Sequence, residues 1–212
     1  ESEYAAETDT ATKAIYFDGA GDYLSLADHA DWDFGTGDFT VECWIQHANI
    51  DTDFQTVIDI GGSASGVRIQ KRGNTGSGAT NYSYECHIAG VQFNFDTDAE
   101  IGANYEWSHI AFTRNGTNVR FFKNGRQVGS TGTNSSNITG LTSGVRVGLN
   151  QSSTGPFTGW MKQVRISNSA RYTSNFDAGL CSTLLVNDAN TKLLILAEEA
   201  VDATTFADSE TS

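Results

Sequence analysis

The chain has 212 residues, of which 38% are hydrophobic and 22 are glycine, with a single proline. Its formal net charge of −13 disfavours nucleic acid, because a phosphate backbone attracts Lys and Arg, and it disfavours anionic membrane surfaces. The sequence contains no apolar run of the roughly 18 residues that a membrane-spanning helix needs. We therefore expect one globular domain, without nucleic acid as a partner and without membrane insertion.

Strand-like runs follow an acidic lead-in, residues 1–12, that we expect to be flexible. The clearest run is Phe39 to Gln46, in which Phe39, Val41, Cys43 and Ile45 alternate with polar or aromatic residues. Side chains alternate across a strand, so this run predicts a strand with one buried face. Further strands are expected at about 13–18, 22–27, 56–60, 66–72, 82–89, 91–96, 106–114, 118–123, 126–129, 144–149, 157–167 and 191–197.

Several connections carry turn signals. Asn115-Gly116 and Asn124-Gly125 each stand between two strand-like runs, and both predict a type I′ hairpin turn, which needs positive φ at two successive residues. Residues Ser169 to Phe176 alone resemble a helical turn. The stretches Gly73 to Thr80 and Ser130 to Ser143 are rich in small polar residues, and we expect mobile surface loops there.

Five stretches, taken in order, resemble one family. They read F-D-G-A-G-D-Y-L at 17–24, D-F-G-T-G-D-F-T-V-E-C-W-I at 33–45, E-W-S-H-I-A-F-T-R-N-G at 106–116, F-F-K-N-G-R-Q-V-G at 121–129 and F-T-G-W-M-K-Q-V-R-I-S-N-S-A-R-Y at 157–172. Together they resemble the laminin-G-like, concanavalin A-like jelly-roll family. Their sequences are most similar to the versions of this family from bacteriophage and bacterial surface proteins. The resemblance implies an all-β, two-sheet antiparallel jelly-roll sandwich with one short helical turn.

This resemblance frames the domain organisation. We expect one jelly-roll sandwich domain over residues 13–197, followed by an acidic tail at 198–212. The strand at Thr191 to Ala197 either closes the sheet of this domain or opens a following one. The family usually carries two acidic residues where Lys162 and Gln163 stand, which puts any role of those acids in question for this chain.

Signals for catalysis are weak. Jelly-roll glucanases place a nucleophile and a general acid on alternate positions of one strand, and this sequence has no Glu-x-Asp-x-Glu strand. The nearest run, Asp96 to Glu100, precedes Gly102 and is interpreted as a turn. Its four histidines do not stand at the spacing of a zinc site. We therefore expect a domain that binds rather than catalyses.

Calcium is the one cofactor with some support. Asp28, Asp31, Asp33 and Asp38 crowd one loop region, and calcium is held by carboxylate, carbonyl and water oxygens. Related domains often hold calcium at the rim of the sandwich. The alternative is that these aspartates form turns by accepting hydrogen bonds from their own backbone.

Glycan binding uses exposed aromatic faces beside amides and carboxylates. Trp44 shares its strand face with Gln46, and Trp107 shares its face with His109, whereas Trp32 lies in the acidic loop and is the best candidate for an exposed ring. We therefore take Trp32, Trp44, Trp107 and His109 as candidate ligand-binding residues. The alternative is that these rings pack in the sandwich, as we expect for Trp160, which has the same parity as Val164 and Ile166.

The leading functional hypothesis is a non-enzymatic glycan-binding or adhesion module of a phage or bacterial surface assembly. The first alternative is a structural virion protein, a capsid decoration or tail component, that makes protein–protein contacts only; the second is a glycan hydrolase. The expected partners are carbohydrate or other virion and surface proteins, with homo-oligomers or multivalent display. The expected location is the virion surface, the extracellular space or the cell surface.

Overall fold

A computed structural model of the chain describes residues 13–50, 54–73, 83–96, 106–179 and 183–197. The predictions for residues 1–12, for most of the Gly73–Thr80 loop, for the turn within 96–100 and for the tail 198–212 therefore lie outside the described residues. The strands are β1 (Ile15–Asp18), β2 (Leu24–Leu26), β3 (Phe39–His47), β4 (Gln55–Ile60), β5 (Val67–Arg72), β6 (Ser83–Ile88), β7 (Val91–Asp96), β8 (Trp107–Asn115), β9 (Asn118–Lys123), β10 (Arg126–Thr133), β11 (Val145–Val147), β12 (Thr158–Ser167) and β13 (Thr191–Ile195).

These strands form two antiparallel sheets. The seven-stranded sheet has the order β1-β12-β3-β8-β9-β10, with β13 also paired to β12, and the six-stranded sheet has the order β2-β11-β4-β5-β6-β7. The prediction of an all-β, two-sheet jelly-roll sandwich is confirmed.

The core lies between the two sheets, and strand alternation decides which residues enter it. Phe39, Val41, Cys43 and Ile45 of β3 are all buried in it, as the alternation in the sequence predicts. The facing sheet contributes a second set of buried side chains, among them Ile58, Ile69, Tyr84, Cys86 and Val147. Each large apolar side chain buried in this way stabilises the fold by roughly 1.5–3 kcal/mol.

The two Asn-Gly pairs occupy their turns differently. Lys123 pairs with Arg126, so Asn124 and Gly125 are the central residues, with φ of 47° and 73°, and the predicted turn with two positive φ angles is confirmed. Asn115 instead pairs with Asn118 inside the ladder. The second turn is therefore centred on Gly116 and Thr117, one residue later than predicted.

Two further local predictions are wrong. The helical turn of this sandwich is a 3-10 turn at Ala30–Trp32, while residues 169–176 are irregular. The first four residues of the predicted loop Ser130 to Ser143 instead continue β10, although most of the stretch lies at the surface as predicted. Ile138 in the same stretch is buried and exchanges two backbone hydrogen bonds with Gly35, at 2.7 and 2.9 Å.

Strand β13 belongs to the seven-stranded sheet. β12 pairs with β3 on one side, and its other side is shared by β1, paired to residues 158–161, and by β13, paired to residues 164–167. Leu193 and Ile195 of β13 are buried in the core. The strand therefore closes this sheet, while the division of the chain into 1–12, 13–197 and 198–212 stays a prediction.

Removing residues 191–212 should expose the edge of β12 and the core beneath Leu193 and Ile195. We expect a lower melting temperature and aggregation, because an unpaired strand edge templates pairing with other chains. Thermal unfolding and size-exclusion chromatography measure both effects, and removal of 198–212 alone is the matched control. A truncated protein that stays monomeric with an unchanged melting temperature would show that β13 contributes nothing to this fold.

Candidate functional site

The aspartates predicted to bind calcium lie around one polar cavity. Asp31, Asp33 and Asp38 line a cavity of about 320 Å³ together with Asn168 and Lys192. Asp28 is exposed and does not belong to this lining. Three of the four candidates are thus brought together by the 3-10 turn and the start of β3.

Each of these three carboxylates already has partners from the protein. Asp33 accepts hydrogen bonds from the backbone N–H groups of Gly140 and Leu141, both at 3.1 Å. Asp38 accepts from the backbone of Gly116 at 2.7 Å and from the side chain of Asn115 at 3.1 Å.

The third carboxylate, Asp31, lies beside a lysine and a histidine. Its Oδ1 lies 3.4 Å from Lys192 Nζ and its Oδ2 lies 3.0 Å from His29 Nδ1. Among the described residues, no group of three or more His, Cys, Asp and Glu side chains is arranged to hold a metal ion. The side chains in this arrangement do not fit a calcium ion, and the calcium site stays a prediction.

Trp32 is buried, so the expectation of an exposed ring is wrong. Its side chain is only 4% exposed, its Nε1 donates to the backbone carbonyl of Ala27 at 3.0 Å, and its ring meets His29 edge to face. The ring fixes the acidic loop onto the sandwich, and it offers little surface to a ligand.

Trp44 and His109 lie on the outer face of the seven-stranded sheet, which points away from the core. Both are buried, at 6% and 1% exposure, and residues 168–179, the cover segment, cross this half of the face at His109. Tyr172 and Phe176 of the cover segment stack on each other at 3.6 Å, and both meet the ring of His109 edge to face. The expectation of an open face or cleft at Trp44 is therefore wrong.

The cover segment closes over a buried charge network centred on Glu42. Arg165 donates to this carboxylate at 2.8 and 2.6 Å, Tyr172 donates its hydroxyl at 2.8 Å, and His109 Nε2 lies at 3.0 Å. Burial disfavours the charged carboxylate, yet the hydrogen bonds and charges of His109 and Arg165 prevail and lower the pKa of Glu42. This half of the face is built for stability.

The other half of the outer face carries a row of aromatic and amide side chains. Tyr16 of β1 pairs with Trp160 of β12, Trp160 pairs with Gln46 of β3, and Gln46 pairs with Trp107 of β8. Residues directly opposite each other in a sheet share one face, so these four side chains form a line across four strands, the outer-face row. Tyr16 is 52% exposed, and the other three are partly exposed.

Contacts within and beside the row hold its rings. The rings of Tyr16 and Trp160 are 4.9 Å apart at an interplanar angle of 43°. The ammonium group of Lys162, a buried side chain, lies 4.9 Å from the centroid of the Trp107 ring. The rings are thus positioned before any ligand arrives.

The prediction that Trp160 belongs to the core is wrong because β12 contains a β-bulge. Lys162 pairs with Trp44 and Arg165 pairs with Glu42, so β12 holds one more residue than β3 between these pairs. An extra residue reverses the side-chain alternation. Val164 and Ile166 therefore enter the core, while Trp160, at the same parity but before the bulge, lies on the outer face.

Of the predicted ligand-binding residues, only Trp107 belongs to the row. Sequence reasoning missed Tyr16, although its position between the buried residues Ile15 and Phe17 already indicates an outward side chain. It also missed the pairing of Trp160 with Gln46, which depends on the register between distant strands.

The sequence and the fold can be compared with known proteins. A sequence model described as the concanavalin A-like lectin/glucanases superfamily, of laminin G type, matches residues 18–174. The chain belongs to this superfamily. As its description names both lectins and glucanases, membership alone does not separate a binding function of this concanavalin A-like domain from a catalytic one.

Solved structures share the fold at low identity. A Bacteroides ovatus protein, described as a candidate carbohydrate-binding protein, superposes with a TM-score of 0.68 and 18% identity over 93% of this chain and 55% of its own. Domain 4 of an extracellular arabinanase from Geobacillus stearothermophilus, in complex with arabinotriose, gives 0.56 and 20% over 74% and 71%. Tailspike protein 2 of an Escherichia coli O157:H7 bacteriophage gives 0.64 and 13% over 89% and 27%.

This concanavalin A-like domain thus spans about half of the Bacteroides protein and about a quarter of the tailspike. Comparison with curated protein sequences finds no match. Within the part of the chain that the structure describes, no helix is long and apolar enough to cross a membrane.

The Glu42 network predicts a specific loss of stability in acid. The pKa of Glu42 is lowered from its ordinary value of 4.5, so near pH 4 the folded state binds fewer protons than the unfolded state. The contribution of Glu42 to the free energy of unfolding is therefore fully present above its unfolded-state pKa, and it is lost as the pH falls through the lower, folded-state pKa.

Glu42→Gln should therefore lower the melting temperature at pH 7, because Arg165 loses its buried counter-charge. The melting temperature of this variant should also fall less steeply than that of the wild type as the pH is lowered. Thermal unfolding between pH 7 and pH 3 measures both effects, with Glu106→Gln at an exposed position as control. If the melting temperature falls as steeply with decreasing pH in Glu42→Gln as in the wild type, Glu42 is not the group responsible for the loss of stability in acid.

For the acidic loop we expect Asp33→Asn to lower stability by about 2 kcal/mol, because two backbone N–H groups lose a charged acceptor. Asp28→Asn, at an exposed position, is the control.

We also expect the melting temperature to be the same in millimolar calcium and in chelator. A rise with calcium, reversed by chelation, would show that the loop rearranges to bind the ion.

Proposed function

We propose that this domain is a glycan-binding module and that the outer-face row is its binding surface. The observation that carries the proposal is the in-register line Tyr16–Trp160–Gln46–Trp107, whose side chains are exposed or partly exposed among the described residues. Its four members come from four strands that are far apart in sequence. The sandwich itself therefore sets their spacing.

The chemistry of the row suits a sugar. Aromatic rings supply apolar area to the C–H faces of a sugar ring, and polar neighbours fix its orientation. Gln46 carries an amide oxygen that accepts and an NH₂ group that donates up to two hydrogen bonds, so beside the contact it makes within the protein it can meet a sugar hydroxyl, which both donates and accepts. Rings held in place by their own contacts lose little conformational freedom on binding.

The comparisons support this proposal at the level of the fold. One similar structure is described as a candidate carbohydrate-binding protein and another was solved with arabinotriose bound. The tailspike similarity supports the more specific hypothesis of a phage or bacterial surface assembly, outside the cell or on a virion. In such an assembly many copies would raise avidity by a large factor over single-site affinity, so a weak single site suffices.

The proposed activity is binding without hydrolysis. On the outer face, the buried Glu42 is held ionised between Arg165 and Tyr172 beneath the cover segment. A carboxylate fixed in this way cannot serve as a general acid at neutral pH, a role that requires a raised pKa.

The aromatic members of the row can be tested one by one. We expect Trp160→Ala and Tyr16→Ala each to weaken glycan binding by about tenfold, equivalent to about 1.4 kcal/mol, with little change in melting temperature. The matched control is Tyr23→Ala, next to β2 in the other sheet. The two tyrosines are similarly exposed, Tyr23 at 45% and Tyr16 at 52%. The measurement is binding of a multivalent display of the domain to arrays of host-surface glycans.

Other outcomes would favour other functions. A wild type that binds no glycan even when multivalent, yet assembles onto capsid or tail proteins, would support a structural virion protein. Release of reducing sugar by the wild type would support a hydrolase. Equal binding by Trp160→Ala, Tyr16→Ala and wild type would place the glycan site elsewhere on the molecule.

A further inference from the structure

We propose that Asn115, in the turn between β8 and β9, is a self-modifying site at which the carboxylate of Asp38 catalyses the conversion of asparagine to aspartate and isoaspartate. This reaction of the chain on itself needs neither the outer-face row nor a glycan. Three features support it: the contacts of Asp38, the space around Gly116, and the contrast with the second Asn-Gly pair of the chain.

A single carboxylate contacts both nitrogen atoms that take part in this reaction. Asp38 Oδ1 accepts a hydrogen bond from the backbone N–H of Gly116 at 2.7 Å, and Asp38 Oδ2 accepts one from Asn115 Nδ2 at 3.1 Å. In asparagine deamidation the first nitrogen is the nucleophile and the second is the leaving group. Both distances are short enough for Asp38 to exchange a proton with either nitrogen.

The reaction balances without a cofactor. Gly116 N attacks Cγ of Asn115 while Asp38 takes the proton of this nitrogen. Asp38 then returns the proton to Nδ2, the Cγ–Nδ2 bond breaks, ammonia leaves, and a cyclic imide, the succinimide, remains. Water opens the succinimide at either carbonyl group, which gives aspartate or isoaspartate. Water is thus consumed and ammonia released, and nothing is oxidised or reduced.

The turn leaves room for the attack. Gly116 is exposed, with a φ of 58°, and a Cβ atom added to it would meet no other atom within 4 Å. The last pair of the β8–β9 ladder is Asn115 with Asn118, and the N–H of Gly116 beyond it donates to Asp38. Asn115 is partly exposed, so water can reach the succinimide and ammonia can leave.

The second Asn-Gly pair is held differently and serves as an internal reference. Asn124 Oδ1 accepts a hydrogen bond from the backbone N–H of His109 at 2.8 Å, and the carbonyl of Gly125 accepts one from Phe176 N at 2.9 Å. A Cβ atom added to Gly125 would collide with the carbonyl oxygen of Phe176, because the cover segment packs on this turn. Among the described residues, no carboxylate is hydrogen-bonded to Asn124 or Gly125. We therefore expect Asn124 to be protected in the folded protein.

The modification weakens the contact from which it starts. The hydrogen bonds of Asp38 join the β8–β9 turn to the loop before β3. A carboxylate in place of the Asn115 amide brings a second negative charge beside Asp38, and like charges repel. The modified protein should therefore have a lower melting temperature, and Asn115→Asp, which reproduces the aspartate product, should show a similar decrease.

Incubation of the full chain at neutral pH, followed by peptide mass spectrometry, tests the proposal. The conversion of Asn115 and of Asn124 is measured in the folded protein and, in parallel, in the chain held unfolded by urea. Unfolding separates Asp38 from Asn115 and frees both Asn-Gly pairs. We expect Asn115 to react about tenfold faster in the folded than in the unfolded protein, because a positioned base outweighs the restriction of the turn. Asn124 should react more slowly in the folded than in the unfolded protein.

Two variants identify the catalytic group. Asp38→Asn should slow the reaction of Asn115 in the folded protein by about a hundredfold, because the amide keeps the shape of the carboxylate but cannot take up the proton. Asp33→Asn is the matched control for lost stability, since it removes a carboxylate that accepts from two backbone N–H groups near the same loop. It should leave the rate at Asn115 unchanged.

Three results would overturn the proposal. The first is a slower reaction of Asn115 in the folded than in the unfolded protein. The second is an unchanged rate in Asp38→Asn, which would assign the reaction to the Asn-Gly sequence alone. The third is an equal decrease in rate in Asp38→Asn and Asp33→Asn, which would assign it to the general stability of the fold.

Discussion

One extra residue in β12 is the constraint on which the rest of this face depends. β12 lies between β3 on one side and β1 and β13 on the other, so its side-chain alternation sets what enters the core and what faces out. At the bulge Gln163 adopts a φ of 55°, a left-handed conformation that costs a residue with a Cβ roughly 1–2 kcal/mol. The backbone strain is offset by burial, because Met161 before the bulge and Val164 and Ile166 after it all reach the core.

The bulge also divides the outer face into two parts with different chemistry. Beyond it, Arg165 reaches Glu42, the cover segment contacts Glu42 and His109, and Trp44 is buried beside them. Before it, Trp160 stands in line with Tyr16, Gln46 and Trp107, outside the cover segment. A charged, closed half therefore stabilises the sheet on which the open aromatic half is displayed, and rigid sheets position binding groups more precisely than loops do.

Local sequence patterns predicted the fold well, whereas the site depends on contacts between distant residues. Alternation in β3 identified its buried face, and the Asn124-Gly125 pair identified a hairpin, since both signals lie within a few residues. The bulge was missed because it is defined only by the register of β12 against β3. Trp44 was expected to be accessible because nothing in its own strand shows that the outer face is buried there. Trp32 was expected to be exposed because nothing in the acidic loop shows that its ring joins the core. Likewise Ile138 looked like part of a loose loop, yet the buried Arg114 holds the neighbouring carbonyls of Gly35, Gly37 and Ser136.

The central claim is that a glycan lies along Tyr16, Trp160, Gln46 and Trp107. The most direct test is an NMR titration of the isotopically labelled protein with an oligosaccharide that the glycan arrays identify as a ligand. The signals followed are those of the backbone amides and of the indole N–H groups. We expect the chemical shifts to change most at these four positions of β1, β12, β3 and β8. The indole signals of Trp160 and Trp107 should move, and that of the buried Trp32 should stay unchanged. Shifts concentrated on the six-stranded sheet or around the Asp31–Asp38 cavity, with Trp160 unaffected, would contradict it.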